Sequence, residues 1–364
     1  MVRRPEMWHL VVLVILQVSA WVYGVPQVPC YFIFGDSLFD NGNNNYLLTK
    51  AKANYPPYGT DFPGGPTGRF SNGRNMGDFL AELLGFESYI PSFASSLKGG
   101  EDILQGVNYA SGGAGIRDET AIQNLGEVIS MNKQLLRHQE TISHIMRIYR
   151  DRKSAEEYLR KCMYTVGIGN NDYINNYFLP EFYPTSHQYT PDQYSIHLVQ
   201  QYSQQLKDLY ELGARKIAVF GLGLIGCTPG SVAMHGTNGS SCVDSMNIAV
   251  QLFNAKLSSL VDDLNKQFPD AKFIYVNIFG ISSTPAAGSS VSNVPCCEVA
   301  NLAMTNGVLT CIPYSIICSN RAQYLFWDAT HPTEAVSLFL AGRSYSSQLP
   351  SDAHPMDISS LAQI

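Results

Sequence analysis

Asp328 and His331 stand three residues apart in Asp328-Ala329-Thr330-His331-Pro332, directly after the apolar stretch 324–327. On a tight turn the carboxylate can hold one imidazole nitrogen and leave the other facing outward. Pro332 is expected at the first position of a helix, where its fixed φ would set that turn. A serine hydroxyl is a poor nucleophile until such a base takes its proton, and Ser37, in Gly35-Asp36-Ser37-Leu38-Phe39-Asp40, can supply it. Attack on an ester would place negative charge on the carbonyl oxygen, which needs donors already in position. The Ser37 amide, a glycine amide of Ser111-Gly112-Gly113-Ala114-Gly115 and the Asn171 side chain of Gly167-Ile168-Gly169-Asn170-Asn171-Asp172 are the candidates. Taken singly, each block has a plain structural reading: Ser37 could cap a helix, and the glycine–asparagine run could be a polar turn. A G-x-S-x-G elbow, which α/β-hydrolases use to present their serine, does not occur around Ser37.

These residues must be carried by something that brings them together from opposite ends of the chain. Short apolar, β-rich runs at 30–34, 107–110, 162–168, 216–220 and 273–278 read as buried parallel strands. Helical patterns lie between them at 76–84, 125–149, 192–212, 246–268 and 333–345, with Gly213 stopping the third. Strand alternating with helix means a sheet covered on both faces, and ligands in such sheets bind outside the carboxyl ends of the strands. The candidate residues follow runs of this kind. No repeat and no Gly/Ser or Pro linker divides the chain, so residues 25–364 are expected to form a single domain with surface insertions, ending from about residue 346 in a surface tail that covers little.

The chain has 364 residues, of which 15% are charged, with a formal net charge of −6. Without a basic run, nucleic acid is excluded as a partner. Residues 1–24 begin with Arg3 and Arg4, continue through an apolar run at 10–16 and end in small residues, which reads as a secretory signal peptide. The run is too short and too interrupted for a membrane span. Eight cysteines, an even number, suit an oxidising compartment. Four of them fall in the loop-rich stretch 296–318, where zinc is disfavoured because no histidine lies inside. Cys227 and Cys242 are expected to bridge a short Gly-rich loop, at whose tip Asn238-Gly239-Ser240 forms the sequence's only glycosylation sequon. The run Gly221-Leu222-Gly223-Leu224-Ile225-Gly226 matches a dinucleotide fingerprint, but Thr228, Pro229 and Gly230 follow where a helix should open, so nucleotide binding is set aside.

Five blocks in order, Phe32-Ile33-Phe34-Gly35-Asp36-Ser37-Leu38-Phe39-Asp40-Asn41-Gly42-Asn43-Asn44, Gly68-Arg69-Phe70-Ser71-Asn72-Gly73-Arg74, Asn108-Tyr109-Ala110-Ser111-Gly112-Gly113-Ala114-Gly115, the glycine–asparagine block and Phe326-Trp327-Asp328-Ala329-Thr330-His331-Pro332, resemble the plant branch of the GDSL esterase/lipase family within the SGNH hydrolases. The resemblance spans nearly all of the sequence after residue 24. It implies an α/β fold, a flavodoxin-like three-layer α/β/α sandwich with a central, mostly parallel sheet and a shallow open site. It implies Ser37 as nucleophile, His331 as base, Asp328 as its orienter, and Ser37, Gly112 and Asn171 as oxyanion donors, with Gly113 the alternative to Gly112. The implied activity is hydrolysis of carboxylic esters through an acyl-enzyme, without metal or cofactor. Acyl transfer to an alcohol by the same triad is the rival reading, and a non-catalytic acyl or glycan binder a more distant one. Lipid, polyester, acetylated polysaccharide and phenolic esters are all candidate substrates for a monomer expected in the apoplast or cell wall. Activity is expected to rise over about pH 6 to 8 as His331 loses its proton.

Overall fold

A computed structural model of the chain describes residues 25–96, 101–284, 291–300 and 310–364; the expected signal peptide lies outside them. Four strands, β1 (Tyr31–Gly35), β2 (Met163–Gly167), β3 (Lys216–Phe220) and β4 (Lys272–Val276), run parallel in the order β1-β2-β3-β4. Their near-continuous apolar character follows from burial on both faces. Along β1, Phe32 and Phe34 point into one core and Tyr31 and Ile33 into the other. The alternation repeats in β3, with Ile217 and Val219 opposed to Ala218 and Phe220.

Helices α2 (Met131–Tyr149), α3 (Arg152–Lys161), α4 (Pro191–Glu211) and α5 (Asp244–Gln267) supply the first core with Leu135, Leu159, Leu206 and Phe253. Helices α1 (Met76–Leu83), α6 (Ile278–Ser282) and α7 (Glu334–Tyr345) supply the second with Phe79, Leu80, Ile281 and Leu340. The sequence pattern predicts a strand at 107–110. Only Asn108 bridges, yet the segment runs beside β1 through Ile33 N–H to Val107 O (3.1 Å), Tyr109 N–H to Ile33 O (2.7 Å) and Ser111 N–H to Gly35 O (3.1 Å). It thus occupies the second-strand position of a flavodoxin-like order. The expected three-layer α/β/α architecture is present.

Three expectations need correction. The helix expected at 125–149 begins only at Met131. Gly126, at φ +95°, turns the chain so that Lys50 N–H reaches Leu125 O and Glu127 N–H reaches Leu48 O. Pro332 does not start α7: Thr333 is its N-cap, and Pro332 bridges Phe326 in the turn before it. The stretch after residue 346 is no loose surface tail. Its strand β7 (Ala353–His354) pairs antiparallel with β4, and Ile358, Leu361 and Ala362 of α8 (Ile358–Ala362) are buried in the second core. Asp352, itself buried, takes the Arg343 guanidinium through Nε at 3.0 Å and also through Nη2.

Outside the main sheet, β5 (Val291–Pro295) and β6 (Tyr324–Phe326) form a separate parallel pair. The neighbouring cysteines bond as Cys296–Cys318 and Cys297–Cys311. Cys30–Cys162 joins the entries to β1 and β2, and Cys227–Cys242 is the bridge expected from the sequence. Asn238 sits exposed in the turn of that last loop.

Candidate active site

Gly35 and Gly167 end β1 and β2 in register, and Phe39 lies across them. A Cβ on Gly167 would stand 2.3 Å from the Phe39 ring, so the turn after β1 can close only over glycine. Asp36 Oδ1 accepts the Leu38 N–H at 3.0 Å, while the Phe39 and Asp40 amides return to the Asp36 carbonyl. Ser37 is thereby fixed at the carboxyl edge of the sheet. Gln134 of α2 clamps the turn from behind, bonding both the amide and the carbonyl of Gly35 at 2.9 and 2.8 Å.

Asp328 and His331 come from the turn between β6 and α7. The Asp328 carboxylate accepts the Thr330 and His331 amides on Oδ1, at 2.8 and 2.7 Å, and the imidazole Nδ1 at 2.7 Å on Oδ2. An ionised carboxylate can only accept, so Nδ1 carries the proton and Nε2 is left as the acceptor. Nε2 stands 2.8 Å from Ser37 Oγ. Burial alone would raise the Asp328 pKa, but the His331 charge and the hydrogen bonds from His331 and Tyr58 outweigh it and hold the carboxyl below its ordinary value. The triad expected from the sequence is therefore brought together with each hydrogen bond formed.

The oxyanion donors are placed less simply. Gly112 N–H is committed to Asp40 Oδ2 at 2.9 Å, in a buried network where Asp40 Oδ1 also takes the Gly42 and Asn43 amides. The glycine bordering the small cavity beside Ser37 is Gly113, in the left-handed region at φ +82°. Asn171 borders the same cavity. One Nδ2 hydrogen goes to Ala114 O at 3.0 Å, and Oδ1 accepts Asn175 Nδ2 at 2.7 Å. The second Nδ2 hydrogen has no partner among the described residues.

Residues 31–343 match the family described as GDSL-like Lipase/Acylhydrolase. The chain is 52% identical over 343 residues to GDSL esterase/lipase At1g29670 of Arabidopsis thaliana, covering 93% of this chain and 92% of that one. To GDSL esterase/lipase At5g45670 of the same plant it is 50% identical over 344 residues, covering 93% of each. This chain belongs to the GDSL lipase/acylhydrolase family.

The remaining GDSL blocks hold the site in shape. Asn43 Nδ2 donates to the Asn108 and Ala110 carbonyls at 2.9 and 2.8 Å, and Asn44 Nδ2 to Gly112 O at 2.8 Å, tying the first block to the glycine loop. Asp172 accepts the Ile116 and Arg117 amides and the Thr120 hydroxyl, so the glycine loop is also tied to the residue after Asn171. Desolvation raises the buried Asp36, Asp40 and Asp172 carboxyls to about 6 each, against the lowering effect of those hydrogen bonds. In the second block, Arg69 forks onto Asp78 at 2.6 and 2.7 Å, Phe70 lies 4.8 Å from the His331 ring, and Asn72 Oδ1 caps the Glu334 amide.

In this GDSL chain a larger cavity of about 500 Å³ also opens at Ser37 and His331 and shares Asn171, Ile174, Thr228 and Thr330 with the small one. Its walls are mostly apolar, including Leu38, Ile174, Leu224, Leu325, Val336 and Phe339. The glycine run at 221–226 contributes to this wall through Gly223, Leu224 and Ile225 and continues as a 3-10 turn, Ile225–Cys227; the residues expected to break the chain instead open a short helix, Pro229–His235, with Thr228 as its N-cap. Sequence reasoning missed Tyr58. Its hydroxyl donates to Asp328 Oδ2 at 2.6 Å, and nothing in Pro56-Pro57-Tyr58 distinguished it among 21 tyrosines.

Proposed function

We propose that this chain is a secreted serine esterase/lipase that hydrolyses carboxylic esters through an acyl-enzyme on Ser37, with residues 25–364 as one catalytic domain. The observation that carries this reading is the unbroken relay from Asp328 Oδ2 to His331 Nδ1 (2.7 Å) and from Nε2 to Ser37 Oγ (2.8 Å). Ser37 Oγ attacks the carbonyl carbon as its proton passes to Nε2. The oxygen, now anionic, is received by the Ser37 amide, the Gly113 amide and the free Asn171 Nδ2 hydrogen. Gly113 takes this part in place of Gly112, whose N–H serves Asp40. When the C–O bond breaks, His331 returns the proton to the departing alcohol. Water then attacks the acyl-serine with His331 again as base, releasing the acid.

The apolar cavity of about 500 Å³ beside Ser37 suits the acyl chain of such an ester. Four disulfides, the leader-like residues 1–24 and the exposed sequon at Asn238 support export through an oxidising compartment, with Asn238 carrying a glycan. Among the described residues no helix is long and apolar enough to cross a membrane.

The test is hydrolysis of a p-nitrophenyl ester chain-length series by the secreted protein and its Ser37→Ala variant. Ser37→Ala should lower kcat by about three to six orders of magnitude, and equal activity in both proteins would overturn the assignment. Addition of an alcohol acceptor should leave free acid the main product; a dominant transfer ester would replace hydrolase with acyltransferase.

A further inference from the structure

Asp328 is fully buried, and its carboxylate oxygens do not have equivalent surroundings. Oδ1 is held by two amides of its own turn, Thr330 and His331, which come with the local backbone. His331 Nδ1 lies 2.7 Å from Oδ2 and 2.9 Å from Oδ1, and Oδ2, the nearer oxygen, receives one further donor, the Tyr58 hydroxyl at 2.6 Å, from 270 residues away in sequence. Because the carboxylate accepts only, the phenol must be the donor. The phenol in turn accepts the Cys311 N–H at 3.1 Å, and Cys311 is bonded to Cys297. Tyr55 packs edge-on against the Tyr58 ring and donates its own hydroxyl to the Cys311 carbonyl at 2.9 Å. A chain of contacts therefore runs from the disulfide-bonded segment through one phenol to the catalytic carboxylate.

We propose that Tyr58 is a positioning residue for the triad, its hydroxyl fixing the rotation of the Asp328 carboxylate so that Oδ2 stays aligned on His331 Nδ1. The proposal rests on the serine-hydrolase reading. A buried phenol needs only one acceptor, and any backbone carbonyl would do; this one takes the oxygen that orients the base. Burial, with the Asp328 charge second, pushes the Tyr58 pKa well above its ordinary value, so the hydroxyl keeps its proton. The titratable groups facing the Asp328–His331 pair are Tyr58 itself, Tyr55 behind it, and Asp36 on the nucleophile side.

Removing the hydroxyl would leave Oδ2 less well solvated and its negative charge less shared. Imidazolium formation would become easier and carboxylate ionisation harder. Both changes move the acid limb of the rate profile toward higher pH. The discriminating variant is Tyr58→Phe, which keeps the ring against Tyr55 and Phe70 and deletes only the donor. Tyr55→Phe, which loses a bond to Cys311 but none to Asp328, is the control.

The experiment is inactivation by a fluorophosphonate ester, read as rate against pH for the secreted wild-type protein and each variant, with kcat, KM and thermal midpoint alongside. Wild-type protein should be labelled at Ser37; absence of labelling would remove the serine-hydrolase reading itself. Given labelling, Tyr58→Phe should show its acid limb raised by about half a pH unit or more, with kcat down about tenfold and KM little changed. Tyr55→Phe should leave the profile in place. Should Tyr58→Phe not be secreted, Tyr58→Gln, whose amide is a neutral donor that does not titrate, should move the limb in the same direction by less. A Tyr58 variant that loses thermal stability or activity while its pH profile stays where the wild type's lies would overturn the proposal, because packing alone would then explain the residue.

Discussion

The two halves of the relay are built differently. Ser37, Gly113 and Asn171 follow β1, the 107–111 segment and β2, with glycine at each turn, and are held by a buried web of Asp36, Asp40, Asn43, Asn44 and Asp172 bonded mainly to backbone amides and carbonyls. Asp328 and His331 sit outside the main sheet, on a turn after the short β6. That turn is kept in place by cross-connections: Cys296 and Cys297 amides to the Trp327 carbonyl at 3.0 Å, Tyr58 to Asp328, and Asn72 to the first residue of α7. Ser37 is thus placed by the continuity of a parallel sheet, and His331 by long-range ties. Precision on the first side depends on buried polar satisfaction, and on the second on covalent and side-chain struts.

This contrast can be broken experimentally. The largest effect on stability is expected from Asp40→Ala, which strips the acceptor from three amides, Gly42, Asn43 and Gly112. At about 1–3 kcal/mol for each buried donor left without a partner, the loss is about 3–9 kcal/mol, to be read from denaturant unfolding. A fully stable variant would mean that water replaces the carboxylate. A smaller loss, about 3 kcal/mol at most, should follow the paired change Cys297→Ser with Cys311→Ser, whose bridge spans 14 residues. Here kcat should fall while fluorophosphonate still reaches Ser37, because the damage lies on the side of the base; an unchanged kcat would show that the struts do not hold the base.

The smallest effect is one of pH, and it carries opposite signs in the two halves. Asp36, Asp40 and Asp172 have folded pKa values raised to about 6 from 3.8, so the folded state binds protons more readily there, and their contribution to stability grows as pH falls from above 6 toward 4. Asp328 is lowered instead, so its contribution is present above the unfolded value and lost as pH falls through the folded one. The thermal midpoint of Asp40→Asn should therefore gain less than wild type between pH 7 and about 5. Parallel curves would show that Asp40 does not titrate in that window.

The sheet was readable because burial on both faces leaves an uninterrupted apolar run, so β1 to β4 lie within a residue or two of where the sequence places them. The triad was readable because the chemistry fixes residue types, and two of its members share a local turn. What was not readable depends on distant partners. The helix expected from residue 125 is delayed to Met131 because Leu125, Gly126 and Glu127 pair with 48–50, which no local propensity reports. Ile358 and Leu361 look like an undistinguished tail until they are set against β3 and β4. Gly112 differs from Gly113 because Asp40, 72 residues upstream, takes its N–H, and Tyr58 meets Asp328 only in the folded chain.

The placement of β7 has a consequence for solubility. An unpaired outer strand offers its amides and carbonyls to any passing strand, and β4 would otherwise end the sheet in that way. The Tyr275 and Val276 positions are instead taken by His354 and Ala353 from the same chain, running in the reverse direction. With only two residues in β7 and Pro355 directly after, there is little left on which a further strand could build. The last twenty residues thus cover the carboxyl end of the outer strand against pairing with a second copy.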